Sequence, residues 1–339
     1  MRKQSTPTTP RIPLGPALQS YFYSYLIGQR DLSPRTISSY RDTFRLLLRF
    51  LEKRWRLKPD KLCVDDLTVD RVLAFLADLE KSRGNCPRSR NARLAAIRSF
   101  LHHATTANPL LMPVTQQVLA VPIKRFDRGP VKYLTRDQMQ AVLDTPTAAT
   151  MTGQRDQLLL MLLYNTGARV SEIVGLKVKD VCLESHASIH FLGKGRKHRS
   201  VPLWRQSTKL LRSWLQRTGA NPDSPLLPNG RGGPMSRSGV AQRLQLAVTR
   251  AAEKHPTLKS ARVSPHTIRH TTAIHLLQSG VDLSAIAIWL GHENIQTTYQ
   301  YLAADLESKR EALSHLDPPS VRKQRRTSAK SLMKFLDEL

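Results

Sequence analysis

Pro265-His266-Thr267-Ile268-Arg269-His270 places a histidine and an arginine three residues apart, the spacing that puts two side chains on one face of a helix. Alone, such a pair could as well hydrogen-bond a neighbouring loop. Its weight comes from three further patterns in a set order. Upstream lie Thr166-Gly167-Ala168-Arg169-Val170-Ser171-Glu172-Ile173 and the turn Gly193-Lys194-Gly195-Arg196-Lys197. Downstream lie Leu290-Gly291-His292, then Thr297-Thr298 and Tyr301. Each has an ordinary structural explanation: Arg169 can pair with an acid, Lys194 can sit exposed, His292 can cap a helix and Tyr301 can pack in a core. All four in this order, in a strongly basic chain, point to one functional site.

The chain has 339 residues, room for two ordinary domains, and 40% of them are hydrophobic, enough to bury a sizeable core. Against 26 acidic residues stand 53 Lys and Arg, so the formal net charge is +27. A compact chain that basic repels itself unless it meets a polyanion: nucleic acid, an anionic membrane surface or an acidic protein. No carboxylate occurs in 81–126, 185–222, 254–281 or 318–336, and arginine is prominent in these windows. Some could be solvated basic faces, but four in one chain favour a nucleic-acid footprint. No apolar run is long enough to span a bilayer, and Met1–Pro16 lacks the apolar stretch of a signal peptide. Cys63, Cys86 and Cys182 are odd in number and lack metal-ligand spacing, so they read as reduced intracellular thiols.

Outward from the motifs, the pattern is mainly α with one small antiparallel β-sheet. Residues 1–15 read as a disordered basic leader and 16–107 as a helical module. Ser33 with Pro34 makes a helix start, followed by Ile37, Tyr40, Phe44, Leu47, Leu48, Leu51 and Trp55 on one face. Further helices are predicted from Val69 to Ser82 and after Pro87 to about Ala107. Four prolines, a glycine and no clear period make 108–130 the predicted linker. In 131–316 a Thr135–Gln138 capping box opens one helix and Gln154–Tyr164 forms a strongly apolar one. The β-prone runs Ile189–Leu192 and Ser200–Leu203 flank the Gly193–Lys197 turn. The tail, 317–339, starts with Pro318-Pro319 and ends with Leu332, Phe335, Leu336 and Leu339 at helical spacing; it is expected to dock on a neighbouring protomer.

The ordered motifs resemble those of the tyrosine recombinase (phage integrase) family, particularly its Xer-type members. The resemblance runs motif by motif through Val131–Leu316 and more loosely over 16–107, which looks like the family's core DNA-binding domain. It implies a helical N-terminal clamp and a mixed, mainly α catalytic domain closing around double-stranded DNA, with a dimer on each site and a homotetramer across two. The implied activity is site-specific recombination through a 3′-phosphotyrosyl intermediate and a Holliday junction, in integration, excision or resolution of a mobile element or replicon. Neither ATP nor a metal cofactor is implied, and no Walker pattern or Cys/His cluster occurs. A cytoplasmic, nucleoid-associated protein is expected. Two alternatives stay open: a type IB topoisomerase-like nicking activity, and a DNA-binding regulator with a relict site.

The resemblance also implies roles. Arg169 and Arg269 clamp the scissile phosphate, since a guanidinium stays charged and its fork matches phosphate oxygens. His292 adds a hydrogen bond to the same oxygens. Tyr301 is the nucleophile; with a phenol pKa of about 10 it needs a base, for which His266 is the match. Lys194 is the general acid, with Lys197 as substitute. Tyr299 competes with Tyr301, although residues two apart on a helix point to roughly opposite sides. Where many members carry a polar residue and a histidine after the nucleophile, this chain has Leu302 and Ala303. Glu172 holds a neighbouring group or makes an ordinary helix ion pair. DNA contacts are expected from Arg88, Arg90, Arg93 and Arg98 on one helix, and from Arg196 and Lys197.

Overall fold

The computed structural model describes residues 11–126, 129, 131–184, 186–193, 198–219 and 221–304. The chain divides into two units, Met1–Arg128 and Gly129–Leu339.

In the first unit α1 (Leu14–Ser20) runs into a π-helical stretch, Tyr21–Gln29, followed by α2 (Pro34–Trp55), α3 (Val69–Arg83), α4 (Pro87–Ala107) and α5 (Met112–Leu119). The predicted start of α2 is present: the Ser33 hydroxyl accepts from the Thr36 backbone N–H, and Pro34 occupies the first turn. Phe44, Leu47 and Leu51 of α2 meet Val72, Phe75, Leu76 and Leu79 of α3 and Leu94, Ile97, Phe100 and Leu101 of α4 in one core. Each such burial contributes roughly 1.5–3 kcal/mol.

The expected irregular linker at 108–130 is corrected here. Asn108 caps a 3-10 turn, Pro109–Leu111, which leads into α5. Leu111, Val118 and Val121 join the first unit's core, and the Thr105 and Thr115 hydroxyls bond at 2.8 Å. Pro109 and Pro113 stand at first-turn positions, where a missing N–H costs nothing. They start helical turns instead of breaking them.

The second unit opens with α6 (Arg136–Leu143), whose Thr135–Gln138 capping box forms in both directions. Helix α7 (Met151–Thr166) is buried on nearly all sides and sends Leu158–Leu163 into the core. Around it come α8 (Val170–Gly175), a sheet of β1 (Val181–Cys182), β2 (Ser188–Leu192) and β3 (His198–Pro202), then α9 (Arg205–Thr218), α10 (Arg237–Lys254), α11 (Pro265–Gln278), α12 (Leu283–Leu290) and α13 (Gln296–Ala304). The sheet is antiparallel in the order β1-β2-β3, with Phe191 opposite Arg199 and Leu192 opposite His198. The unit is thus mostly helical with one small sheet, as the sequence pattern predicts. Among the described residues no helix is long and apolar enough to cross a membrane. The tail at 317–339 lies outside the described residues.

Candidate active site

Two helices end where the site begins. Helix α7 stops at Gly167 (φ +57°) and α12 at Gly291 (φ +65°), both left-handed caps that glycine adopts without strain. A Cβ on Gly167 would meet Leu290 Cδ2 at 2.5 Å, so the close approach of the two helix ends also requires glycine. Their terminal carbonyls, left without intrahelical partners, receive arginines. Arg269 Nη1 donates to the Gly167 carbonyl and Nη2 to the Leu290 carbonyl, each at 2.8 Å. Its side chain is buried, and burial together with the Arg169 charge pushes its pKa down to about 10, still protonated at neutral pH.

Arg169 stands just before α8. Its backbone N–H donates to Glu172 Oε2 (2.7 Å), Nη1 to Glu172 Oε1 (3.2 Å) and Nη2 to the Gly291 carbonyl (3.2 Å). Glu172 makes the helix pair expected of it and more: Arg199 of β3 grips both carboxylate oxygens, at 2.9 and 2.8 Å. Burial alone would raise the Glu172 carboxyl, but the Arg199 hydrogen bonds and charge, followed by Arg169, hold it below its usual range. Two guanidiniums therefore share one buried carboxylate, and with Arg269 held only by neutral carbonyls the site keeps a surplus of positive charge.

Tyr301 of α13 is 1% exposed and packs with Ala273, Ile274, Ile286 and Leu290. Tyr299 is 45% exposed, on the solvent side. The Tyr301 hydroxyl lies 3.1 Å from His270 Nδ1, and the His270 ring meets the His266 ring edge to face at 4.8 Å. This corrects the expected partner of the phenol, since His270 makes the direct contact and His266 stands behind it. The two histidines are four apart on α11, one turn along the same face. That spacing is legible in the sequence, although the His-x-x-Arg pattern by itself singles out His266. Burial raises the phenol above its ordinary pKa, while the Arg269 charge, a Gln300 hydrogen bond and the Arg169 charge oppose the rise.

His292 follows the Gly291 cap. Its Nδ1 lies 2.7 Å from the Thr298 hydroxyl, and its ring faces that of Tyr301 with centroids 6.2 Å apart. Burial, then the Arg269 and Arg169 charges, push its pKa down to about 4, so it is neutral at physiological pH. His270 is likewise held at about 4, by burial and then by His266 and Arg269. Lys194, Arg196 and Lys197 lie outside the described residues. Among the described residues, no group of three or more His, Cys, Asp or Glu could hold a metal ion.

The α4 arginines do not form the expected DNA-facing row. Arg90 is 5% exposed and its Nη1 donates to the Pro122 carbonyl (3.3 Å) and to Asn91 (3.2 Å). Arg93 Nη1 donates to the Ser39 carbonyl (3.0 Å) and the Thr43 hydroxyl (2.9 Å) of α2. Arg98 donates to the Val121 carbonyl. These three tie α4 to its neighbours, and Arg88 is the exposed one. Arg199 was missed in the sequence. Its signal was alternation on β3: it shares the inward face with Val201.

Cationic forks, neutral imidazoles and a phenol in one pocket suit an anion with a polarisable centre, as in phosphoryl transfer. Comparison with known proteins points to the same class of reaction. Residues 132–308 match the phage integrase family, and 20–108 match its N-terminal SAM-like domain. A Sinorhizobium fredii protein bearing an integrase/recombinase name, y4rC, is 42% identical over 96% of this chain and 98% of its own. The tyrosine recombinase XerC of Pelobacter propionicus is 35% identical over 88% of this chain and 94% of its own. The Tn1549 transposon integrase, solved with transposon right end DNA, shares the fold with a TM-score of 0.67 at 19% identity, over 88% of this chain and 99% of that one. The chain belongs to the phage integrase family, as a Xer-type tyrosine recombinase.

Proposed function

We propose that the protein is a site-specific DNA recombinase that breaks and rejoins strands through a covalent bond between Tyr301 and a 3′-phosphate. The observation that carries this reading is the Tyr301 phenol, buried against His270 and in the field of Arg269 and Arg169. In the reaction the Tyr301 oxygen attacks phosphorus, the bond from phosphorus to the 5′-oxygen breaks, and the 5′-hydroxyl departs with a proton. Arg169 and Arg269 bind the non-bridging oxygens, worth on the order of 3–4 kcal/mol in barrier for one such donor. When the Thr298 hydroxyl donates to His292 Nδ1, the neutral ring carries its proton on Nε2 and donates to those same oxygens.

The phenol proton passes to the His266–His270 pair. In the free site the arginine field helps keep His270 neutral, and a bound phosphate offsets that field and raises its basicity. Lys194, in the sequence between β2 and β3, protonates the leaving oxygen, and Lys197 stands in if it cannot reach. Attack by a 5′-hydroxyl on the phosphotyrosine reverses the chemistry and conserves the bond energy, so neither ATP nor metal is needed. Arg88, Arg196 and Lys197 contact the duplex backbone. Two protomers occupy each site, and four bring two sites together through a Holliday junction, at the nucleoid in the cytoplasm.

The test uses a duplex that the wild-type protein selects from a randomised pool by covalent capture, then nicked near the cleavage point so that the adduct accumulates. Tyr301→Phe should bind this duplex and form no adduct, while Tyr299→Phe still forms it. Loss of the adduct in Tyr299→Phe with retention in Tyr301→Phe overturns the assignment.

A further inference from the structure

Arg199 lies in a basic stretch, Gly195-Arg196-Lys197-His198-Arg199, that reads as a surface for DNA. Its side chain is instead only 8% exposed, and each guanidinium nitrogen donates a hydrogen bond within the protein. Nη1 and Nη2 grip the Glu172 carboxylate in parallel at 2.9 and 2.8 Å, the bidentate geometry that fixes orientation as well as distance. Nε donates to the Trp289 carbonyl at 3.1 Å, near the end of α12. Its carbon centre lies 4.7 Å from the Phe191 ring centroid, directly across the β2–β3 pair. A Cβ on Gly291 would fall 3.0 Å from Arg199 Nη1, so the glycine before His292 also makes room for this side chain.

The carboxylate that Arg199 grips also binds Arg169, through the backbone N–H and Nη1. We infer that Arg199 is a positioning residue for the recombination reaction: it locks Glu172, and Glu172 in turn aims Arg169 at the scissile phosphate. This rests on the function proposed above. Glu172 has two oxygens and both accept from both arginines. Without Arg199 the carboxylate can turn to pair fully with Arg169, drawing that guanidinium from the Gly291 carbonyl and from phosphate. A lysine cannot replace the fork, because a point charge holds one oxygen but not the plane of the carboxylate.

The experiment compares wild type, Arg199→Lys and Arg199→Gln on the captured duplex, with Tm measured for each so that only folded protein is scored. Affinity for DNA should be unchanged, while adduct formation slows by roughly 10²-fold, the loss that a misplacement of about 1 Å brings. A neutral methylphosphonate at the scissile position does not need the full Arg169 clamp, and there the gap to wild type should narrow. A duplex with sulfur as the bridging 5′ atom, which leaves without a proton, should keep the gap. Arg169→Lys combined with Arg199→Gln should be no slower than Arg169→Lys alone, the non-additivity of residues acting through one another. Full speed in Arg199→Lys overturns the inference, and so does rescue by sulfur, which would place the effect on Lys194. An unchanged gap on methylphosphonate would reduce Arg199 to a structural role and overturn it too. A crystal structure of Arg199→Gln is the arm independent of cleavage. Arg169 should leave the Gly291 carbonyl, and an unmoved Arg169 overturns the inference even if wild type forms no adduct. Absence of a wild-type adduct counts against the proposed function alone.

Discussion

The arginines of α4 and those around Glu172 meet the same physical demand and end with opposite electrostatic characters. Both groups bring guanidiniums out of water, and both satisfy them partly with backbone carbonyls: Pro122, Ser39 and Val121 in the first unit, Gly167, Leu290, Trp289 and Gly291 in the second. On α4 Arg90, Arg93 and Arg98 bond to neutral acceptors and are distributed along the helix. In the second unit Arg169 and Arg199 converge on the Glu172 carboxylate, and Arg269 lies within reach of its charge and of the Tyr301 phenol. Positive charge available to a ligand is therefore set by how many guanidiniums share a buried counter-charge, not by how densely arginine occurs in the sequence. An acid-free window of sequence marks no anion site by itself.

The largest effect expected from this contrast is at Arg269. Arg269→Lys keeps the charge but cannot span the Gly167 and Leu290 carbonyls and a phosphate together. Cleavage should slow by an amount corresponding to about 3–4 kcal/mol, with DNA affinity little changed. Single-turnover cleavage on the captured duplex measures this, and a rate within a few-fold of wild type would erase the distinction between the two groups.

Arg93→Met should do the reverse. The Ser39 carbonyl and Thr43 hydroxyl lose a donor, and the first unit should lose roughly 1–3 kcal/mol of stability in a denaturant titration. The salt dependence of DNA binding should keep its slope. A slope shallower by about one would mean that Arg93 neutralises a phosphate after all.

The last effect, confined to acid pH, is on stability. His270 and His292 are both held at about pKa 4 in the folded protein, by burial first and neighbouring positive charge second. In the unfolded chain they take up protons near pH 6.5. Between those values the unfolded state binds more protons, so stability is fully present above about pH 6.5 and falls as pH drops toward 4. His270→Asn should flatten the decline of Tm across that window. An equally steep decline in the variant would show that His270 does not carry its share.

Much of this is legible in the sequence. The Ser33-Pro34 start of α2, the Thr135–Gln138 box and the β-prone runs around residue 193 follow from local chemistry, because a cap or a hairpin is specified by residues within a few positions of one another. The order of Arg169, Arg269, His292 and Tyr301 was equally plain, since it is a matter of spacing along the chain. Contacts between distant segments were not. That Tyr301 meets His270, that Arg199 grips Glu172 from 27 residues away, and that Arg93 reaches α2 rather than solvent depend on how helices and strands pack. Pro109 and Pro113 read as breakers in sequence and start helical turns in the fold, because Leu111, Val118 and Val121 have a core to enter. Local sequence determines which backbone conformations are cheap. Which side chain satisfies a buried carbonyl or carboxylate is decided only when tertiary packing removes the water that would otherwise have done it.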